Sequence, residues 1–75
     1  LGALAVQVEG QRVELANGLL QRVRARMEAK AATALDIALA EREVAQAQAS
    51  LLAARRVYER AKVDLREALD LPPLS

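Results

Sequence analysis

The sequence contains no cysteine, no histidine, no tryptophan and no phenylalanine, and its one aromatic residue is Tyr58. Without cysteine there is neither a disulfide staple nor thiol chemistry. Without histidine, the side chain best suited to general acid–base work near neutral pH is missing. Without large aromatics, 75 residues cannot assemble a thick globular core, whereas thin seams between helices suit small side chains. β-branched residues are few, so no sheet is expected. Neither sign of charge dominates: 11 basic residues face 10 acidic ones, which gives no general pull towards nucleic acid or an anionic membrane surface. The longest stretch free of charge, Val44–Ala54, is well short of the roughly 20 apolar residues that a spanning helix needs.

What remains is helix-forming. Hydrophobic residues make up 53% of the chain, but 17 of them are alanine, so the apolar surface is spread thinly. Ala, Leu, Arg, Glu and Gln dominate, a bias that goes with long helices and coiled coils. The clearest pattern lies in the second half. Ile37, Ala40, Val44, Ala47, Leu51, Ala54, Tyr58, Ala61, Leu65 and Ala68 alternate spacings of three and four, a heptad seam held over more than four repeats. One of its columns is large (Ile37, Val44, Leu51, Tyr58, Leu65) and the other is alanine throughout. An alanine column lets a partner helix approach near the low end of the usual spacing of about 8–10 Å, and a strict seven-residue period implies a left-handed supercoil. A second stripe of Leu35, Leu39, Leu52, Val63 and Leu69 makes the apolar face wider than one partner helix can cover, which predicts neighbours on two sides. Tyr58 is expected to pack, with its hydroxyl at the edge.

The first half repeats this logic less cleanly. Val13, Ala16, Leu20, Val23 and Met27 keep the rhythm, with Leu4, Val8, Leu15 and Leu19 beside them. Gly10 and Gly18 weaken this helix by about 1 kcal/mol each relative to Ala; they mark either a close backbone approach or a locally weak helix rescued by packing.

Between the halves, Thr33-Ala34-Leu35-Asp36 has the layout of a capping box, with Thr33 as cap and Asp36 in the first turn. Counting back from Ile37 places Thr33 and Lys30, both polar, in the seam before the first frame resumes at Met27, so a continuous rod is disfavoured there. Pro72 and Pro73 stop the second helix. The expected fold is therefore all-α: an antiparallel two-helix coiled-coil hairpin over residues 1–71, with a helix at about 3–29, a turn at about 30–33, a helix at about 34–70 and an extended tail at 72–75. The opening LGALAVQVEG has no initiator Met, no basic n-region and no cap ahead of its apolar residues, so the chain is expected to be a piece of a longer protein.

From residue 22 to 71 the sequence resembles the periplasmic hairpin of TolC-like outer-membrane efflux channels. The likeness rests on Thr33, then Leu35-Asp36-Ile37, then Ala40, Val44, Ala47, Leu51, Ala54, Tyr58, Ala61 and Leu65, closing on Ala68-Leu69. Two positions depart from the family pattern: Lys30 and Asp70 stand where the family has glycine. The first removes the easiest left-handed residue from the turn. The resemblance implies a fragment of a larger α-barrel/β-barrel channel, a homotrimer in the outer membrane of a Gram-negative bacterium, with this segment in the periplasm as a tunnel wall. It further implies that the tip docks a periplasmic adaptor protein, which links the tunnel to an inner-membrane pump. Lys30, Ala31, Ala32, Thr33 and Ala34 would be that docking tip, with alanines for close packing and Lys30 and Thr33 for polar contact. Two alternatives stay open: the hairpin of the adaptor itself, whose pattern has an Arg about eleven residues before a tip Ser, matched by Arg22 and Thr33, and a purely structural coiled coil.

Catalysis has little to stand on. Ser50 and Ser75 lack a base that spacing would supply, and Glu41 and Glu43 diverge on a helix. No enzyme activity, metal or cofactor is expected. Arg22, Arg26 and Lys30 line up on one helix face, either as an electrostatic contact near the tip or as a solvated face, while nucleic-acid binding would call for a larger basic excess or stacking aromatics. Two helices cannot bury both stripes, and a core of this size supplies at most about 3–5 kcal/mol. The isolated chain is therefore expected to self-associate, as a dimeric four-helix bundle.

Overall fold

The computed structural model of the chain describes residues 2–70. Two α-helices, α1 (Gly2–Glu28) and α2 (Ala34–Asp70), fold back on each other as an antiparallel hairpin, and the described residues contain no strand. The molecule is a narrow rod of 73 × 16 × 13 Å. The tail expected at 72–75 lies outside the described residues. None of the described helices is long and apolar enough to cross a membrane.

The hairpin closes along the two seams. Ala16, Leu20 and Val23 of α1 and Ala40, Val44 and Ala47 of α2 form the buried core, with Val13, Ala32 and Ile37 packed against it. Ala47 is 0% exposed and Ala40 4%. Near the turn the alanine column is therefore sealed between the helices, because a methyl group is covered by the facing helix without holding it away. Two ion pairs cross the seam, Arg24–Glu41 at 3.8 Å and Arg12–Glu43 at 4.0 Å. Both lie in solvent and contribute at most about 1 kcal/mol each.

The core is concentrated in the half nearer the turn, and the sequence explains the thinning beyond it. Continuing the α1 rhythm backwards from Val13 gives Glu9, Val6 and Gly2. These three are half-buried, as are Leu51, Ala54 and Tyr58 across from them. Glu9 holds a seam place where an apolar residue belongs. Its side chain is 25% exposed, with Arg12 3.8 Å away, and its Oε2 is buried without a hydrogen-bond partner. An acid in the seam limits how far α1 and α2 can approach there.

Gly2 marks the tightest approach at the open end: a Cβ built on it would stand 2.8 Å from Tyr58 Cδ1 and 3.3 Å from Tyr58 Cα. By contrast, a Cβ on Gly10 or Gly18 would meet nothing within 4 Å. Of the two readings of those glycines, close backbone approach is thereby excluded; they are weak points that packing elsewhere carries. Tyr58 packs at its large-column place, with the Lys62 ammonium 5.2 Å from the ring centroid. Past Tyr58, α1 no longer runs alongside, and Ala61, Leu65 and Ala68 are exposed. The periodicity of α2 thus continues beyond the part of its seam that this hairpin covers.

Candidate docking tip

The turn between the helices is built from two interlocked caps. At the end of α1 the Lys30 N–H donates to the Met27 carbonyl at 2.9 Å and the Ala31 N–H to the Arg26 carbonyl at 2.7 Å. This pair of bonds, spanning three and five residues, is the Schellman arrangement, which satisfies carbonyls that a helix end leaves orphaned. It requires a left-handed residue just past the helix, and Lys30 takes that conformation with φ of 61°. The position is the one glycine fills most easily, so a lysine there is strained by about 1–2 kcal/mol. The turn keeps its geometry nonetheless, because the caps on both sides and closure of the seam hold it. The Arg26 Nη2 also reaches the Ala31 carbonyl, at a long 3.4 Å.

α2 begins with the capping box. The Asp36 N–H donates to Thr33 Oγ1 at 3.3 Å, and the Thr33 N–H donates to Asp36 Oδ2 at 2.9 Å. The Ile37 N–H closes the first intrahelical bond to the Thr33 carbonyl at 3.2 Å. Aspartate replaces the usual glutamate and still spans the box. The Thr33 N–H holds the Asp36 carboxyl below its ordinary range; the adjacent Thr33 hydroxyl acts in the same direction, and Arg26 adds a smaller pull against slight desolvation. Ala32, just before the cap, and Ile37, in the second turn, are both half-buried against the core. They form a hydrophobic staple, which sets the angle at which the chain enters α2.

Lys30, Ala31, Thr33 and Ala34 are exposed together at one end of the rod, whereas Ala32 is turned inward as part of the staple. The outward surface is therefore two alanine methyls flanked by one ammonium and one hydroxyl already engaged in a cap. This tip offers shape and a single positive charge. Among the described residues, no three side chains of the metal-binding types converge.

Comparison with family models, with curated proteins and with solved structures finds no match. The geometry of the hairpin is what bears on its role, and an antiparallel helix pair is compatible with many roles.

Two features of the hairpin were missed by reading the sequence. Glu9 in the seam was one, although counting back from Val13 by four finds it. The other is that the exposed apolar residues are not shared evenly between the two flanks. Leu15, Leu19 and Leu39 flank one side of the seam, along an open groove that also takes in Arg26, Asp36 and Glu43. In the heptad register the opposite flank carries Asn17, Arg24, Glu41 and Gln48, with Leu52 among them and Leu69 further along α2.

Proposed function

We propose that the chain is a periplasmic tunnel-wall hairpin of a trimeric outer-membrane export channel of the TolC-like kind, and that its tip docks a periplasmic adaptor. The role is passive: the hairpin forms a length of conduit, and contact at the tip biases how the helices at the inner end lie against each other. The observation that carries the proposal is the reversal at Lys30. The chain turns tightly there, without glycine, and presents Lys30, Ala31, Thr33 and Ala34 outward while both neighbouring helix ends are capped. A capped, rigid, alanine-faced tip suits end-on docking against another helical tip, since small side chains allow close approach and little entropy is lost on contact. Apolar side chains left uncovered after the hairpin closes, Leu15 at 72% exposure among them, suit a wall in which each hairpin has neighbours.

The test is made in the parent protein, with two residues that are exposed and outside the core. Ala31→Glu and Ala34→Glu place a carboxylate on the docking face without touching the staple or the capping side chains. Both are expected to abolish export and the co-purification of the adaptor while the amount of folded parent stays unchanged. Export and adaptor recovery at the parental level in both variants would refute the reading. The parent sequence offers a second check: a second hairpin of this kind with flanking amphipathic strands accords with a channel, and a split lipoyl-like domain does not.

A further inference from the structure

We infer that the groove flanked by Leu19 and Leu39 is the surface on which a second copy of this chain docks, with the two tips at the same end. The inference does not depend on the export reading. Three observations carry it. The first is the unequal division of the flanks where the two helices are paired: Leu15, Leu19 and Leu39 line a groove on one side of the seam, whereas the other side carries Leu52 among Asn17, Arg24, Glu41 and Gln48. A neighbour that buries apolar surface therefore has one side to choose.

The second is charge. On the grooved flank, α1 carries Arg22 and Arg26 near the turn and, further along, Arg12, which is already paired with Glu9 and Glu43, while α2 carries Asp36 and Glu43 close to the turn. Two copies meeting through this flank can be related by a twofold axis in either of two directions. An axis across the rod lays α1 on α1 and α2 on α2, tips apart, so that a basic face meets a basic face. An axis along the rod lays α1 of each copy over α2 of the other, tips together. Arg22 and Arg26 then lie over the partner copy's acidic turn-proximal stretch. Only the second arrangement is complementary, and juxtaposed like charges select against the first.

The third is area. α1 pairs over 27 residues, about 40 Å of helix, and the rod is 16 Å wide. A face of these dimensions covers roughly 640 Å² per copy, or about 1,300 Å² in total, which falls within the range of specific protein interfaces. Such a contact is isologous, the commonest symmetry of soluble oligomers.

The chain has no cysteine of its own, so single introduced cysteines report the arrangement cleanly. Leu19 and Glu43 are exposed or half-buried, and neither belongs to the core. Mixing the separate variants Leu19→Cys and Glu43→Cys under mild oxidation is expected to give a disulfide-linked dimer joining the two, with little self-linking of Leu19→Cys alone. Sedimentation velocity at about 100 µM chain, above the micromolar affinity expected of the weaker interfaces of this size, should give twice the 8.1 kDa chain mass. Leu19→Glu should raise the dimer dissociation constant at least about tenfold by burying a charge in the groove, while Asn17→Glu on the opposite flank leaves it unchanged. Helical circular dichroism of each variant, measured in parallel, separates loss of pairing from loss of fold. A folded monomer at that concentration would overturn the inference. So would self-linking of Leu19→Cys in place of the mixed product, or a dimer that Asn17→Glu disrupts and Leu19→Glu does not.

Discussion

Replacing Lys30 with glycine tests the reversal on which the hairpin depends, because the sign of the effect differs between the two possible chain paths. In the hairpin, Lys30 has φ of 61° and donates its N–H to the Met27 carbonyl. A side chain in this left-handed conformation costs about 1–2 kcal/mol, which glycine does not incur. Glycine also enlarges the conformational freedom of the unfolded chain, which offsets about 0.4–1 kcal/mol of that gain. The net expectation for Lys30→Gly is stabilisation by about 0.5–1 kcal/mol, or a rise in Tm of about 2–8 °C for a domain of this size. If residue 30 instead lay inside one continuous helix, the same substitution would destabilise by about 1 kcal/mol. Thermal and urea denaturation followed by helical circular dichroism distinguishes the two, provided both proteins are compared at one chain concentration, since self-association makes Tm concentration-dependent. A loss of stability near 1 kcal/mol would refute the left-handed turn. Lys30→Val, measured alongside, should destabilise, since a β-branched residue tolerates positive φ worse than lysine does.

Two further perturbations address the seam and the cap. Ala47→Leu inserts three carbons at a position that is 0% exposed in the core between the helices, and overpacking of this kind is expected to destabilise the hairpin by about 1–3 kcal/mol in urea titration; an unchanged midpoint would mean that the alanine column is not where the helices meet. For Asp36, the folded-state pKa lies below the unfolded one, so its contribution is fully present above the unfolded value and is lost as pH falls through the folded value. Stability should therefore decline from about pH 4 downward, and Asp36→Asn should flatten that limb, as urea midpoints measured across the acid range would reveal; parallel profiles for the two proteins would rule out the capping carboxylate as a source of the acid slope.

The parts of the molecule that sequence reading anticipated are those governed by local interactions. Helix content follows from alanine-rich composition, and the paired face of α2 follows from the alternation of threes and fours, since both depend on residues a turn apart. The break was legible because Thr33 and Asp36 satisfy the first turn of α2 with their own side chains, a purely local bond pattern. At Lys30 the local signal pointed the other way. Glycine is the residue that turn favours, and the lysine adopts the required conformation because the Schellman bonds and the closing seam together outweigh its strain. Ala32 shows the same limit: its composition marked it as outward tip surface, and only the arrival of the chain from α1 turns it inward against the core.

By itself, then, the sequence determined that this chain is two long helices with a capped interruption between them, and which column of α2 is narrow enough to bring a partner close. The unequal lengths of the two helices were legible as well, but tertiary structure alone decided how the pair meets: that the core is packed nearest the turn, and that Leu15, Leu19 and Leu39 come to border one groove beside the seam. Heptad spacing specifies a stripe around one helix axis, whereas the two flanks of a hairpin exist only once two axes have been set side by side, and their relative rotation follows from how alanine, leucine and the seam-bound Glu9 fill the space between them.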